Sequence, residues 1–209
     1  MHDADFRQAE KDWRSFVTCL NEKVMELDDT IPELPLKDLI FRIYRDVRFS
    51  SDPTPYKPYF SAAWSRTGRK GSYAHYYVQI AAGGSFVGAG LWHPEAASLA
   101  ALRNDIDQQP ENIKNVLKDK DIVDAFFGGS KSPLKAFLKM NASNALKVKP
   151  KGYDADHKDI ELLRLRNYTV IRKLEDDEVT GSEGLTRIAE LLAGGKPLVT
   201  YLNLVVMPD

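Results

Sequence analysis

The sequence predicts a single α+β domain, in which a mainly antiparallel sheet is covered by helices. Strand-like segments cluster within residues 36–94, and helical patterns come before and after them. Within this strand-rich part, Gly83 and Gly84 separate two segments of alternating residues, which is typical of a β-hairpin. The chain has 209 residues, enough to bury a large core in one domain, and its sequence shows neither an internal repeat nor a strong domain boundary.

The N-terminal part, residues 1–35, is predicted to contain one amphipathic helix. Apolar side chains recur at three- and four-residue steps over residues 9–27, and two prolines follow them. Residues 36–49 match both the helical and the strand template. The β-branched and aromatic residues that dominate residues 40–49 favour a strand there, followed by a proline-rich turn or extended loop over residues 50–58.

Further strands are predicted between residues 59 and 92. The first spans residues 59–65, and the two hairpin arms span residues 73–81 and 86–92. On the second arm, Gly88 and Gly90 leave space above one face, which a neighbouring aromatic ring or a ligand can fill. On the first arm, one face carries Tyr73, His75, Tyr77 and Gln79, and the other carries Tyr76, Val78 and Ile80.

Residues 95–209 are predicted to be mostly helical, with at least one further strand. That strand is expected over residues 168–171, and residues 176–183 are typical of an acidic turn. Helices are predicted to start at Pro94 and Pro110 and to span residues 122–127, 134–140, 159–165, 185–192 and 197–204.

Composition excludes several classes of protein and site. No run of roughly 18 or more apolar residues is present, so no transmembrane helix is expected, and the acidic N-terminus is neither a signal nor a transit peptide. Cys19 is the only cysteine, which excludes an internal disulfide and a cysteine-based zinc site. We therefore expect an intracellular protein, cytoplasmic or nuclear, with no membrane partner, no metal and no cofactor. The oligomeric state is left open.

Basic residues concentrate in two blocks, although the formal net charge is −1. Residues 42–94 carry a net charge of +5, and residues 131–151 carry six lysines and no acidic residue. Folding can join such blocks into one positive patch, or they can remain a solvated surface paired with acidic residues elsewhere. If the second block is helical, Lys131, Lys135 and Lys139 share one face, which would suit a phosphate backbone.

The densest group of functional candidates lies within residues 42–59. In a strand over residues 40–49, Arg45 would lie on the apolar face, where a guanidinium needs an acceptor from a protein carboxylate or a ligand anion. Arginine suits forked recognition of phosphate and carboxylate groups. The hypothesis is an anion-binding pocket, and the alternative is an Arg–Asp network that only holds the proline-rich loop. The candidate ligand-binding residues are Arg42, Arg45, Arg48, Tyr56, Lys57 and Tyr59.

Three hypotheses about function follow from these residues. A binding module would hold a phosphate-bearing small molecule or nucleic acid, although the slightly acidic isoelectric point disfavours a dedicated duplex binder. An enzyme of unknown reaction would use Asp46 or His75 as its acid–base group, with Arg42 or Arg48 holding a substrate oxyanion. In a protein-interaction domain, the same arginines and the aspartate would only brace the fold.

One group of spaced residues follows the pattern Arg-x-x-Arg-Asp-x-Arg-Phe, then an acidic residue and a Pro-Tyr-Lys segment. It consists of Arg42, Arg45, Asp46, Arg48, Phe49, Asp52, Pro55, Tyr56 and Lys57. This pattern resembles the signature of the bacterial and fungal family called domain of unknown function 2461, and the sequence is most similar to fungal members. Pro53 stands where the family has a lysine. The resemblance implies that the signature residues belong to a shared pattern and that the N-terminal helix is shortened, and it brings no catalytic assignment.

Overall fold

The fold is built around a four-stranded antiparallel sheet, in which each strand pairs with the next one along the chain. The structure is a computed structural model, and it describes residues 3–48 and 53–207. The strands are β1 (Phe60–Trp64), β2 (His75–Ile80), β3 (Ser85–Leu91) and β4 (Tyr168–Leu174).

Helices fill most of the remaining described chain, so the predicted α+β class with an antiparallel sheet is confirmed. A short 3-10 helix spans Ala142–Asn144. The α-helices are α1 (Asp3–Leu27), α2 (Leu36–Leu39), α3 (Ala96–Gln108), α4 (Glu111–Leu117), α5 (Lys120–Phe126), α6 (Pro133–Met140), α7 (Ile160–Leu163), α8 (Asp176–Thr180), α9 (Gly184–Ala193) and α10 (Lys196–Val206).

The core lies on one face of the sheet. Helices α9 and α10 pack against β3, and α1 packs against β1. The side chains of Tyr76 and Val78 on β2 point into this core and are fully buried, as the alternation of the hairpin predicts. Two buried polar groups here are paired: the Trp64 indole donates to Asn21 Oδ1 at 3.0 Å, and the Tyr76 hydroxyl donates to Asp28 Oδ2 at 2.8 Å.

The predicted strand over residues 40–49 is wrong for the residues that the structure describes. Residues 36–39 form α2, and residues 40–48 make only two isolated bridges, Ile40 with Ala62 and Tyr44 with Tyr56. The segment that faces Tyr44 contains several prolines, which have no N–H to donate to a ladder. Pairing therefore stops after two hydrogen bonds of 2.8 Å, from the Arg45 N–H to the Pro55 carbonyl and from the Lys57 N–H to the Ile43 carbonyl.

The predicted acidic turn over residues 176–183 is also corrected, because its first half is the helix α8. A capping box stabilises the start of this helix, with the Glu175 and Glu178 side chains each accepting a backbone N–H. Three acidic residues in the first turn also stabilise this helix, because their negative charges lie near the positive end of the helix dipole.

The two edges of the sheet are covered by neighbouring segments. At the β1 edge, the Phe41 N–H donates to the Ser61 carbonyl at 2.9 Å. At the β4 edge, the buried Asn141 side chain accepts from the Thr169 N–H at 3.1 Å and donates to the Thr169 carbonyl at 2.9 Å. These contacts help to protect both edges from pairing with another chain. The hydrogen bond to Ser61 also holds Phe41 beside the face of the sheet that is opposite the core.

Gly90 on β3 is required by its conformation and by its close contact with β4. Its φ of +125° is one that L side chains rarely adopt, and a Cβ there would lie 2.1 Å from the Tyr168 carbonyl oxygen. We expect Gly90→Ala to lower the free energy of unfolding by about 3 kcal/mol or more, because backbone strain and overlap add.

Gly83, at the hairpin turn, provides the matched control. It has a φ of +62°, but a Cβ there meets nothing within 4 Å. Gly83→Ala should therefore cost only about 1 kcal/mol, from strain alone. Urea unfolding of both variants measures the difference, and equal losses of stability would contradict the predicted overlap with β4.

Candidate functional site

A cavity of about 550 Å3 lies over the face of the sheet that is opposite the core. Its floor follows directly from the strand register. Tyr77 pairs with Gly88, and His75 pairs with Gly90, so two side chains from β2 lie beside two positions on β3 that have none. The predicted face of the hairpin that carries His75 and Tyr77 is therefore the face that lines this cavity.

Cationic and aromatic side chains form the wall near β1. Phe41 and Tyr59 come from the segment that precedes β1, and Arg69 comes from the loop between β1 and β2. Lys57 lies between the two rings, with its Nζ 5.8 Å from the centre of Phe41 and 5.6 Å from the centre of Tyr59. Such distances allow cation–π attraction. Trp92, which follows β3, lies at the other side of the cavity.

Lys57 is a partly desolvated cation. Burial lowers the pKa of its ammonium group, and the nearby charge of Arg42 lowers it further. Within residues 3–48 and 53–207, no ion pair or hydrogen bond to a carboxylate involves this group. Arg69 differs, because it donates to the Lys37 carbonyl and lies 4.0 Å from Asp38 Oδ1. Of the described residues that line the cavity, none is acidic.

His75 is a neutral imidazole in the floor of the cavity. Burial lowers its pKa to about 4. Its Nε2 atom is buried, and the described part of the chain supplies no hydrogen-bond partner for it. Burial also raises the pKa of the neighbouring Tyr77 hydroxyl, which donates to Gln79 Oε1 at 3.2 Å. His75 therefore lines the cavity with a ring whose buried Nε2 is left unpaired by the described part of the chain.

The three signature arginines do not share one recess. Arg42 is exposed and lines a pocket beside Phe6 and Arg14, which shares Phe41 and Arg69 with the cavity. Arg45 is half-buried and lines a recess together with Lys57. Arg48 is exposed and lies next to Asp46, with which its side chain forms two hydrogen bonds.

The Arg48–Asp46 pair is a local surface contact. Arg48 Nε and Nη2 donate to Asp46 Oδ1 and Oδ2 at 2.9 and 2.7 Å. This hydrogen bonding lowers the pKa of Asp46, which is exposed and does not line the cavity that contains His75. The two acid–base candidates are thus not brought together. Two members of the signature, Phe49 and Asp52, lie outside the described residues.

The tyrosine and lysine candidates also lie in different places, two in the cavity and one outside it. Lys57 and Tyr59 line the cavity, and both also line the recess of Arg45, which links the two spaces. Tyr56 is instead exposed and packs on Tyr44, with ring centres 5.2 Å apart. Of the six predicted ligand-binding residues, the structure brings Lys57 and Tyr59 into the cavity, and it places Arg42 and Arg45 in recesses that share lining residues with it.

The chain was compared with family models, curated proteins and solved structures. The model of a family described as conserved hypothetical protein (DUF2461) matches residues 1–201. The chain belongs to the DUF2461 family. No curated protein and no solved structure matches. For this DUF2461 chain, the residues that line the cavity therefore have to be interpreted from their own geometry and charge.

Sequence analysis missed several residues of this DUF2461 site. Arg69 lies in a loop that carries no strand or helix pattern, so nothing in the sequence indicates which way it faces. Thr169 and Ile171 come from β4, which is more than 70 residues further along the chain. The sequence did contain one signal for this site, the alternation of side chains along β2 and β3. That alternation places His75, Tyr77 and the two glycines on one face of the sheet.

None of the lysines of the second basic block lines this cavity. Lys135 and Lys139 lie on α6, but Lys131 precedes that helix, so the three do not form one helical row. All six lysines of the block are exposed. His157 Nε2 lies 3.1 Å from Asp107 Oδ1. Within residues 3–48 and 53–207, no group of His, Cys, Asp and Glu is placed to hold a metal ion, and no helix is both long and apolar enough to cross a bilayer.

The environment of His75 predicts a pH dependence of stability. Between pH 6.5, near its unfolded pKa, and pH 4, near its folded pKa, the unfolded chain binds a proton that the folded chain does not. Stability should therefore fall as the pH falls through this window, with His75 contributing at most about 3 kcal/mol.

The variant His75→Phe keeps an aromatic ring and removes the titrating group. Urea unfolding at several pH values should show a smaller loss of stability for His75→Phe than for the unchanged protein across this window. Because carboxylates titrate in both proteins, only the difference between the two curves reports on His75. Parallel curves would contradict the interpretation of His75 as a buried neutral group.

Proposed function

We propose that this chain is a binding module for a small molecule that carries a phosphate or a similar anionic group, held in the cavity over the open sheet face. The observation that carries the proposal is Lys57: a partly buried ammonium between two aromatic rings, in a cavity whose described lining contains no acid. Burial disfavours a lone charge. An anion beside Lys57 would offset that cost.

Neighbouring cations support the same conclusion. Arg69 lines the cavity with its guanidinium 6.0 Å from the Phe41 ring centre, and Arg45 lines the adjoining recess. Both recesses include Lys57 and Tyr59, so Arg45 lies next to the cavity, and the exposed carboxylate of Asp46 also lines the recess of Arg45. A phosphate group, with several acceptor oxygens, suits this combination of lysine and arginine.

The dimensions favour a small molecule over nucleic acid. A volume of about 550 Å3 lies within the usual range for small-molecule pockets, roughly 300–1,000 Å3. The exposed lysines of residues 131–151 do not line the cavity, so they do not extend it into a track for a nucleic-acid backbone.

Replacement of Lys57 tests this proposal. Lys57→Met keeps most of the side-chain length and removes the charge, so it should weaken binding of ribose 5-phosphate at least about tenfold, the loss expected for a charge-assisted hydrogen bond. Isothermal titration calorimetry at low and high salt concentration measures this, and binding to the unchanged protein should weaken as salt rises.

Arg48→Met is the matched control. It removes a cation of the same signature that is exposed and bonded to Asp46 outside the cavity. Affinity for ribose 5-phosphate should stay the same in this variant. Equal losses in both variants would mean that general surface charge accounts for binding. No binding of ribose 5-phosphate or of AMP to the unchanged protein would overturn the proposed function.

A further inference from the structure

The centre of the cavity floor is bare backbone with an aromatic border. Gly88 and Gly90 lie next to each other on the open face of β3, and Tyr77 lies beside Gly88 on β2. The ring of Tyr77 packs between Phe41 and Phe86, with centres 6.1 and 5.4 Å away. Both glycines are largely buried in the sheet, and both still line the cavity. A flat group can therefore reach the backbone of β3, which a side chain at either glycine would prevent.

Trp92 lies at the border of this bare floor and is unusually accessible. Its side chain is 63% exposed, whereas Trp13 and Trp64 are 5% and 0% exposed. The next residue, His93, has a positive φ of 50°, and its N–H donates to the buried Asn167 side chain at 2.9 Å. A left-handed conformation is unfavourable for a residue with a Cβ. The chain thus maintains a costly turn directly after an exposed indole that lines the cavity.

His75 supplies a polar group to the same area. It pairs with Gly90 across the strands, and its buried Nε2 has no hydrogen-bond partner in the described part of the chain. A neutral imidazole nitrogen can accept or donate one hydrogen bond. An apolar ring over the glycines would leave this nitrogen unpaired, whereas a ring with polar atoms at its edge would satisfy it.

We propose that the ligand of this cavity is a mononucleotide-like molecule, whose flat nitrogen-containing ring lies over Gly88 and Gly90 against Trp92 while its phosphate reaches Lys57. This assignment rests on the proposed function and adds a second subsite to it. The indole stacks on the ring face, and the ring edge hydrogen-bonds to His75 Nε2 after the His75 side chain turns this buried atom toward the cavity.

The distance between the two subsites supports a ligand with a spacer. The cationic wall lies beside β1, and the glycines are on β3, which is two strands away. Neighbouring strands are about 4.8 Å apart, so the subsites are separated by roughly 10 Å. A phosphate attached directly to a ring would not reach both subsites, whereas a sugar between them supplies the additional length.

Three probes separate the contributions of ring and phosphate: AMP has both, ribose 5-phosphate lacks the ring, and adenosine lacks the phosphate. Calorimetry should show that AMP binds about tenfold or more tightly than either fragment, because each fragment loses one subsite. AMP and adenosine should also quench tryptophan fluorescence, since Trp92 is the exposed indole, whereas ribose 5-phosphate should not.

Two variants test the ring subsite. Trp92→Ala and His75→Phe should each weaken AMP binding, by about tenfold for the indole, and should leave the affinity for ribose 5-phosphate unchanged. Leu204→Ala is the control, because Leu204 is a similarly exposed apolar side chain, 67% exposed, on α10 outside the cavity. It should change neither affinity.

The outcomes distinguish this inference from the proposed function. If AMP and ribose 5-phosphate bind equally tightly and Trp92→Ala changes neither, the ring subsite is wrong while the anion site stands. If adenosine binds as tightly as AMP and both lose affinity in Trp92→Ala, the ring subsite stands and the anion site is wrong. If none of the three probes binds, both proposals are overturned.

Discussion

β3 and β4 approach each other so closely at Gly90 that a Cβ would lie 2.1 Å from the Tyr168 carbonyl oxygen. This contact constrains much of the molecule, because β3 joins the hairpin to β4 and also carries α9 and α10 on its other face. On the core side, β3 contributes Val87 and Ala89 to a closely packed layer. On the open side, the requirement for glycine leaves the backbone bare, and the cavity lies above this bare strand.

The proline-rich segment determines which cations reach that cavity. Since prolines cannot continue a ladder, residues 40–48 touch their partner segment only briefly before the chain turns into β1. The backbone hydrogen bond from Lys57 to Ile43 places Lys57 and Tyr59 along the cavity wall. Arg48 is left at the surface, where Asp46 neutralises it. One signature thus contains residues in different environments, and of its described members only Lys57 lines the cavity.

The cavity wall near β1 contains a charged group that burial destabilises. Burial disfavours the charged form of Lys57, and the aromatic rings around it offset only part of that cost. The unpaired nitrogen of His75 is a second unfavourable group in the same cavity. Proteins retain such groups where a ligand satisfies them, and this reasoning underlies both the anion site and the ring subsite.

The local pattern of the sequence determined the fold class, the hairpin and its two faces, because side chains alternate along a strand whatever surrounds it. The same pattern placed His75, Tyr77 and the glycines together. It failed for residues 40–48, which suit a strand locally but pair only briefly with a segment that contains several prolines. Only the tertiary structure decided that Lys57 and Arg69 meet on one wall while Arg42 and Arg48 do not, because the direction of a side chain from an irregular segment depends on packing against distant strands and not on its neighbours in the chain.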